Sequence, residues 1–239
     1  MLISIKNKFI FIHNYKVAGT SIRKTLFPFC IKPYFSKKSQ KKVLDKLVKR
    51  HFLAYYNNES INQVIKAFID NIPDQLFEGY LEQITSLVPP HSNARQIKQI
   101  IPNRLYNDYF KFGFVRNPWD WQVSLYFYML KDKGHYQHKL IKSFKSFDEF
   151  IEWRVFKEKR LQKSFFVDKK GNLIVDFIGR YENLNEDFQK VLQIVGLEKE
   201  IMLEHTNKSN HDNYMSYYNE YTYKLIEEHF KEDIEMFGY

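Results

Sequence analysis

The chain contains very little cysteine, and this scarcity limits what kind of protein it can be. Cys30 is the single cysteine in 239 residues, so no intrachain disulfide can form, and a secreted domain built on disulfides is excluded. No group of cysteine and histidine residues has the spacing of a zinc site, so no metal is expected. No marked histidine and asparagine constellation accompanies Cys30, which is therefore interpreted as a core residue and not as a nucleophile.

Long apolar stretches are missing as well. No run of 18 apolar residues occurs in the sequence, so a membrane-spanning helix is not predicted. Residues 1–14, MLISIKNKFIFIHN, are too short and too interrupted by lysine to resemble the apolar region of a secretory signal. The expected location is the cytoplasm.

Positive charge, in contrast, is present in excess. The sequence has 37 Lys and Arg against 28 Asp and Glu, which gives a formal net charge of +9. This balance favours polyanionic partners, namely nucleotides, nucleic acid, acidic glycans or membrane surfaces, without choosing among them. Because no nucleic-acid recognition motif accompanies the charge, no nucleic-acid partner is expected.

Predicted strands and helices alternate along the chain, which favours an α/β fold in three layers with a central, mostly parallel sheet flanked by helices. The predicted strands are residues 3–12, 109–115 and 173–182. A helix capped by Thr20 or Ser21 is predicted, and further helices are predicted over residues 116–130, 184–197 and 217–239. Further helical patterns at 37–52, 60–72 and 74–87 suggest a helical insertion, 31–88, within a single domain, 1–239.

The first candidate site is the stretch 11–26, FIHNYKVAGTSIRKTL, where a strand, a tight turn and a helix start follow one another. A helix N-terminus attracts anions, Gly19 permits close backbone approach, Thr20 and Ser21 add hydroxyls, and Lys16 adds a mobile charge. The turn could therefore hold a phosphate or a sulfate. An ordinary strand–turn–helix with a surface lysine explains the same residues equally well.

The second candidate site begins where the strand 109–115 ends. Arg116 follows that strand directly, at the position where ligands bind in open α/β sheets, and Ser124 lies eight residues further on in the next helix. The guanidinium of an arginine and a serine hydroxyl could bind a second phosphate. Taken alone, an arginine at a sheet edge and a serine on a helix face are the simpler interpretation.

Together these two segments resemble a known family. KVAGTS is similar to the 5′-phosphosulfate loop of sulfotransferases, and FVRNPWDWQVSLY is similar to their 3′-phosphate element. Three further segments resemble the family in the same order, namely 91-HSNARQIKQII-101, 176-DFIGRYENL-184 and residues 205–239 with NKS and FGY. The chain therefore resembles the bacterial-type, family 2-like branch of the carbohydrate sulfotransferases, except chiefly at residues 31–88.

The resemblance implies transfer of a sulfuryl group from 3′-phosphoadenosine 5′-phosphosulfate (PAPS), without a metal, to a hydroxyl or amine acceptor. Lys16 would reach the oxygen that bridges phosphorus and sulfur, where negative charge develops. Arg116 and Ser124 would hold the 3′-phosphate. The remaining residues implied to bind the donor are Ala18, Gly19, Thr20 and Ser21 in the loop, with Lys208 and Ser209 closing over the nucleotide. A glycan of a bacterial surface is the expected acceptor, with a small metabolite as the alternative, and the excess of basic residues would suit an anionic glycan.

The resemblance also implies that His91 faces the acceptor as the general base, with His13 as a rival close to the loop. Arg180 and Glu182 end the strand 173–182, where they could orient the site or form a buried ion pair. The sequence departs from the family at Asn14-Tyr15, where relatives usually carry a proline.

Two other functions remain open from the sequence. One is a non-catalytic binder of nucleotides or polyanions with the same fold, against which the joint presence of Lys16, His91 and Arg116 argues. The other is a P-loop kinase or NTPase, which would need a G-x-x-x-x-G-K-[ST] motif that the sequence does not contain.

Overall fold

A computed structural model describes residues 1–31, 66–67, 69–72, 79–82, 88–197, 201–203 and 213–239. Within them lies a central sheet in the spatial order β1-β2-β3-β4. Its strands are β1 (Leu2–Ser4), β2 (Phe9–Ile12), β3 (Phe110–Val115) and β4 (Phe177–Arg180). β2, β3 and β4 are parallel, and β1 pairs antiparallel with β2. The predicted α/β class with a mostly parallel central sheet is confirmed.

The helices surround this sheet. Those that lie wholly within the described residues are α1 (Gly19–Leu26), α2 (Ala94–Ile100), α3 (Asn103–Asp108), α4 (Pro118–Lys131), α5 (His138–Ser143), α6 (Phe147–Phe156), α7 (Leu184–Ile194), α8 (Glu220–His229) and α9 (Lys231–Phe237). Short 3-10 turns cover Phe27–Phe29, Gln162–Phe165, Tyr181–Asn183 and Tyr214–Tyr217.

Strand β2 shows why helices cover both faces of the sheet. Its sequence, FIFI, is apolar at every position, and all four side chains are buried. Phe9 and Phe11 pack on one face with residues of α1 and α7, while Ile10 and Ile12 pack on the other with residues of α2 and α9. A strand that is apolar throughout is typical of a parallel sheet buried on both sides.

A third apolar cluster lies beside the sheet, where α4, α6 and α8 meet around Trp121, Phe150 and Phe230. It anchors α4, which begins directly after β3. Asn117 caps this helix by accepting hydrogen bonds from the first backbone N–H groups, and Pro118 occupies the first helical position, which its fixed φ suits.

The prediction of one strand over residues 3–12 is wrong, because the segment forms a hairpin. Lys8 has a positive φ of 48°, and its backbone N–H donates to the carbonyl of Ile5, which closes a turn between β1 and β2. The side-chain hydroxyl of Ser4 accepts from the backbone N–H of Asn7 and stabilises this turn. The apolar residues on both sides suggested one continuous strand, whereas the polar residues 6–8 form the turn at which the chain reverses direction.

Two other predicted elements are longer than the observed ones. Of residues 173–182, only β4 joins the sheet, because Leu173 instead bridges Val167 in a separate turn. The predicted helix 217–239 breaks at Phe230 into α8 and α9, which pack against different neighbours. Most of the predicted insertion 31–88 lies outside the described residues, although its Ile69, Ile72 and Leu81 pack into the core beside β2.

The sheet brings three chain segments to one edge. β3 and β4 end opposite each other, with Val115 paired to Arg180, and β2 ends two residues earlier, with Ile12 paired to Gly113. The segments that follow these strands therefore emerge together at the carboxyl edge, where open α/β sheets bind their ligands.

Candidate active site

The loop between β2 and α1, residues 13–18, has an unusual backbone. Lys16 and Ala18 adopt left-handed conformations with φ of 55° and 60°. Such conformations are uncommon for residues other than glycine and persist only where the surroundings impose them. They are concentrated at functional sites, so this loop is a candidate for ligand binding.

Helix α1 begins two or three residues earlier than expected. Ala18 is its N-cap and supplies no side-chain hydrogen bond, so the prediction that Thr20 or Ser21 caps the helix is wrong. Both residues lie within the first turn, which contains no acidic residue. Thr20 is exposed and Ser21 is buried. A helix N-terminus without a capping side chain leaves backbone N–H groups for an anionic ligand.

Side chains from three other parts of the structure hold the loop in this shape. Each contacts a backbone carbonyl of the loop, and together they fix its first, third and fourth residues. The pairs are His91 Nδ1 with the carbonyl of His13 (3.1 Å), Trp121 Nε1 with that of Tyr15 (2.7 Å), and Arg116 Nη1 with that of Lys16 (3.4 Å).

Gly19 is required here by packing. A Cβ at this position would lie 1.9 Å from Nε2 and 2.0 Å from Cδ2 of His13. The His13 ring is buried between Phe11 and His91 and has little room to move away. The space next to Gly19 is thus filled by His13, a reason for this glycine that the sequence did not reveal.

We therefore expect Gly19→Ala to lower the free energy of unfolding by about 1–3 kcal/mol, the usual cost of overpacking a filled site. In urea unfolding, His13→Ala should then cost less in the Gly19→Ala background than in the parent protein, because it removes the clash. Gly134→Ala, where the nearest atom would be a side-chain oxygen at 3.3 Å, is the matched control. Additive effects of the two substitutions would contradict this account.

The ring of His91 is fixed in one tautomer. A carbonyl oxygen can only accept a hydrogen bond, so the contact with the carbonyl of His13 requires a hydrogen on Nδ1 and leaves the Nε2 lone pair free in the neutral ring. The rings of Tyr15 and His13 flank His91 at centroid distances of 4.0 and 4.3 Å. Burial lowers the pKa of His91 below its ordinary value of 6.5, although the bond to the carbonyl opposes this change.

His13 is less suited to accept a proton. Burial lowers its pKa to about 2, with a further contribution from His91, so its ring is a very weak base. Its Nδ1 is buried and has no hydrogen-bond partner in the part of the chain that the structure describes. Of the two histidines that the sequence offered, His91 has the better geometry.

The ammonium of Lys16 lies over an aromatic ring. Its Nζ is 4.1 Å from the ring centroid of Tyr128. Burial, followed by the nearby charges of Arg116 and Lys131, lowers the pKa of Lys16 to about 8. Lys16 therefore lies among cations, in a place where an anionic ligand would be attracted.

One face of α4 connects the two candidate sites. Arg116 is only 4% exposed, pairs through Nε with Asp120 at 2.6 Å, and stacks on Tyr181 at 4.0 Å. Ser124 lies one helical turn after Asp120, and Tyr128 lies one turn after Ser124. The structure thus places Ser124 on the helix between the partner of Arg116 and the partner of Lys16.

A buried glutamine, which no sequence signal marked, connects the two candidate sites through hydrogen bonds. Gln162 accepts from the backbone N–H of Arg116 at 3.0 Å and donates to its carbonyl at 2.7 Å. The same side-chain oxygen accepts from the amide of Asn14 at 3.1 Å. Asp233 in turn accepts from the backbone N–H groups of Gln162 and Lys163. Asn14 is thus part of this connection.

Arg180 and Glu182 do not form the buried ion pair that the sequence left open. Arg180 donates to the carbonyl of Phe237 and stacks on Tyr239, while Glu182 is exposed and accepts from Asn117 N and Tyr239 Oη. They attach the C-terminal residues to the carboxyl edge of the sheet. Lys208 and Ser209 lie outside the described residues.

The residues that the structure describes include no helix with both the length and the apolar composition of a membrane span. No group of three or more histidine, cysteine, aspartate or glutamate side chains among these residues could hold a metal ion.

Comparison with known proteins identifies the family. The sequence profile of a sulfotransferase family matches residues 1–239. An uncharacterized protein of Archaeoglobus fulgidus is 36% identical over 123 residues, which cover 51% of this chain and 95% of that protein. Since the profile extends over the whole sequence, the chain belongs to the sulfotransferase family.

Proposed function

We propose that this sulfotransferase transfers a sulfuryl group from PAPS to a hydroxyl of a carbohydrate acceptor, in the cytoplasm. One observation carries the proposal: Lys16 and Arg116, in the segments that follow adjacent parallel strands, both contact side chains of one face of α4. Two cationic groups held at one carboxyl edge suit a ligand with two anionic groups.

The residues present fit such a donor. The first turn of α1, with Ala18, Gly19, Thr20 and Ser21, and the ammonium of Lys16 would hold the 5′-phosphosulfate, as in a P-loop-like fold. Arg116 and Ser124 would hold the 3′-phosphate. Nε and Nη1 of Arg116 are engaged with Asp120 and the loop, so Nη2 would make the direct contact.

The bound donor would supply an activated sulfuryl group. Lys16 would donate a hydrogen bond to the bridging oxygen, where charge develops as the sulfur–oxygen bond breaks. His91 would accept the acceptor's proton at Nε2, because its Nδ1 already donates to the carbonyl of His13. Since a sulfuryl group carries less charge than a phosphoryl group, we propose that these residues suffice without a divalent metal.

Nucleotide selectivity tests the proposal. By calorimetry, 3′-phosphoadenosine 5′-phosphate should bind at least about tenfold more tightly than AMP, a difference of about 1.4 kcal/mol. Ser124→Ala should weaken binding of the bisphosphate about tenfold, the effect of losing a hydrogen bond to a charged group, and leave AMP unchanged. Ser143→Ala, at an exposed serine of α5, is the control. Equal affinities for the two nucleotides would remove the basis for a 3′-phosphate site.

A further inference from the structure

Both partners of the contact between Lys16 and Tyr128 are fixed by their surroundings. Lys16 projects from a left-handed loop residue, and Tyr128 lies near the C-terminal end of α4. The phenol of Tyr128 donates to Oδ2 of Asp132 at 2.9 Å, and Asp132 also accepts from the backbone N–H of Gly134. The ring is thus anchored at its hydroxyl end while its face meets the ammonium at 4.1 Å.

Few other groups stabilise the charged form of the Lys16 ammonium. In the described part of the chain, no carboxylate lies within ion-pair distance of Lys16. The charges that act on it are those of Arg116 at the end of β3 and Lys131 on α4, and both favour loss of its proton. Asp120 is already paired with Arg116. The face of Tyr128, where an aromatic ring carries negative potential, is therefore a stabilising group for the charged form.

We propose that Tyr128 is a positioning residue for sulfuryl transfer: its ring face holds the Lys16 side chain at the loop and stabilises its ammonium group. The catalytic part of this inference rests on the proposed function, whereas the coupling between ring and ammonium does not. Neither the helical pattern nor the family resemblance of the sequence marked this tyrosine.

The test compares Tyr128→Leu, which removes the ring, with Tyr128→Phe, which keeps the ring and loses only the bond to Asp132. In the full chain, the pH dependence of Lys16 modification by an amine-selective reagent, read by peptide mass spectrometry, gives the pKa of Lys16. We expect it to fall by about half a pH unit in the leucine variant and to stay unchanged in the phenylalanine variant. Exposed Lys224 on α8 is the internal standard.

Donor hydrolysis supplies the second readout. Loss of kcat/KM at alkaline pH should begin about half a pH unit lower in Tyr128→Leu than in the parent or in Tyr128→Phe. An unchanged pKa of Lys16 in the leucine variant would overturn the coupling itself. A lower pKa with an unshifted alkaline limb would overturn the role in transfer and would count against Lys16 as the catalytic cation. If Tyr128→Leu is insoluble, Tyr128→Gln replaces it, since the residue is 39% exposed and tolerates a polar side chain.

Discussion

Replacing Lys16 with methionine is expected to reduce the turnover number about 10²–10³-fold, the effect of removing one preorganised donor from a developing negative charge. Methionine keeps a long, flexible side chain and removes only the ammonium. Because the interaction with the bridging oxygen strengthens as that oxygen gains charge, kcat should fall far more than affinity for the desulfated nucleotide. Donor hydrolysis at saturating PAPS measures the first quantity, and calorimetry measures the second.

Lys131→Met is the matched control, because Lys131 is close enough to influence the pKa of Lys16 but lies on α4, outside the loop. Its turnover should remain close to that of the parent. A Lys16→Met enzyme with parent-like kcat and weaker donor binding would make Lys16 a binding residue only.

His91→Asn should lose about 10²–10⁴-fold of the transfer rate, the range attributed to general acid–base catalysis. Asparagine can still donate to the carbonyl of His13, so the loop should keep its shape, and nucleotide binding and the melting temperature should change little. His229→Asn, at a histidine at the end of α8, is the control. Near-parent transfer by the His91 variant would refute the base assignment and leave the donor site untouched.

The pH profile of the parent enzyme follows from the same two residues. His91 must be neutral to accept a proton, and its pKa is lowered below 6.5, so the acidic limb of kcat/KM should lie below pH 6.5. Lys16 must be protonated, and its pKa is about 8, so activity should fall as the pH rises through 8. The His91 variant should lose the acidic limb and keep the alkaline one.

The sequence revealed the two candidate sites because their residue types depend on local pattern. The strands are largely apolar, so Lys16 and Arg116 were recognisable as cationic residues in the segments that follow them. Pro118 and Asp120 marked the start of α4 in the same way, through position-specific preferences of a helix N-terminus.

What the sequence could not show depends on contacts between distant segments. Gln162 lies 46 residues from Arg116 and 148 from Asn14, and no periodicity links them. Gly19 had an obvious explanation in ligand binding, while the structure places the His13 ring in its empty space. Tyr128 could have been suspected only from its spacing of four residues from Ser124, once Ser124 itself was suspected.

The most direct test of the central claim is the fate of the sulfur in PAPS labelled with ³⁵S. The purified parent protein, incubated with this donor in excess EDTA, should release 3′-phosphoadenosine 5′-phosphate and labelled sulfate slowly, or labelled product quickly once a glycan acceptor is supplied. Lys16→Met should suppress both reactions. An intact donor under all conditions, or a reaction that appears only after Mg²⁺ is added, would contradict metal-independent sulfuryl transfer by this chain.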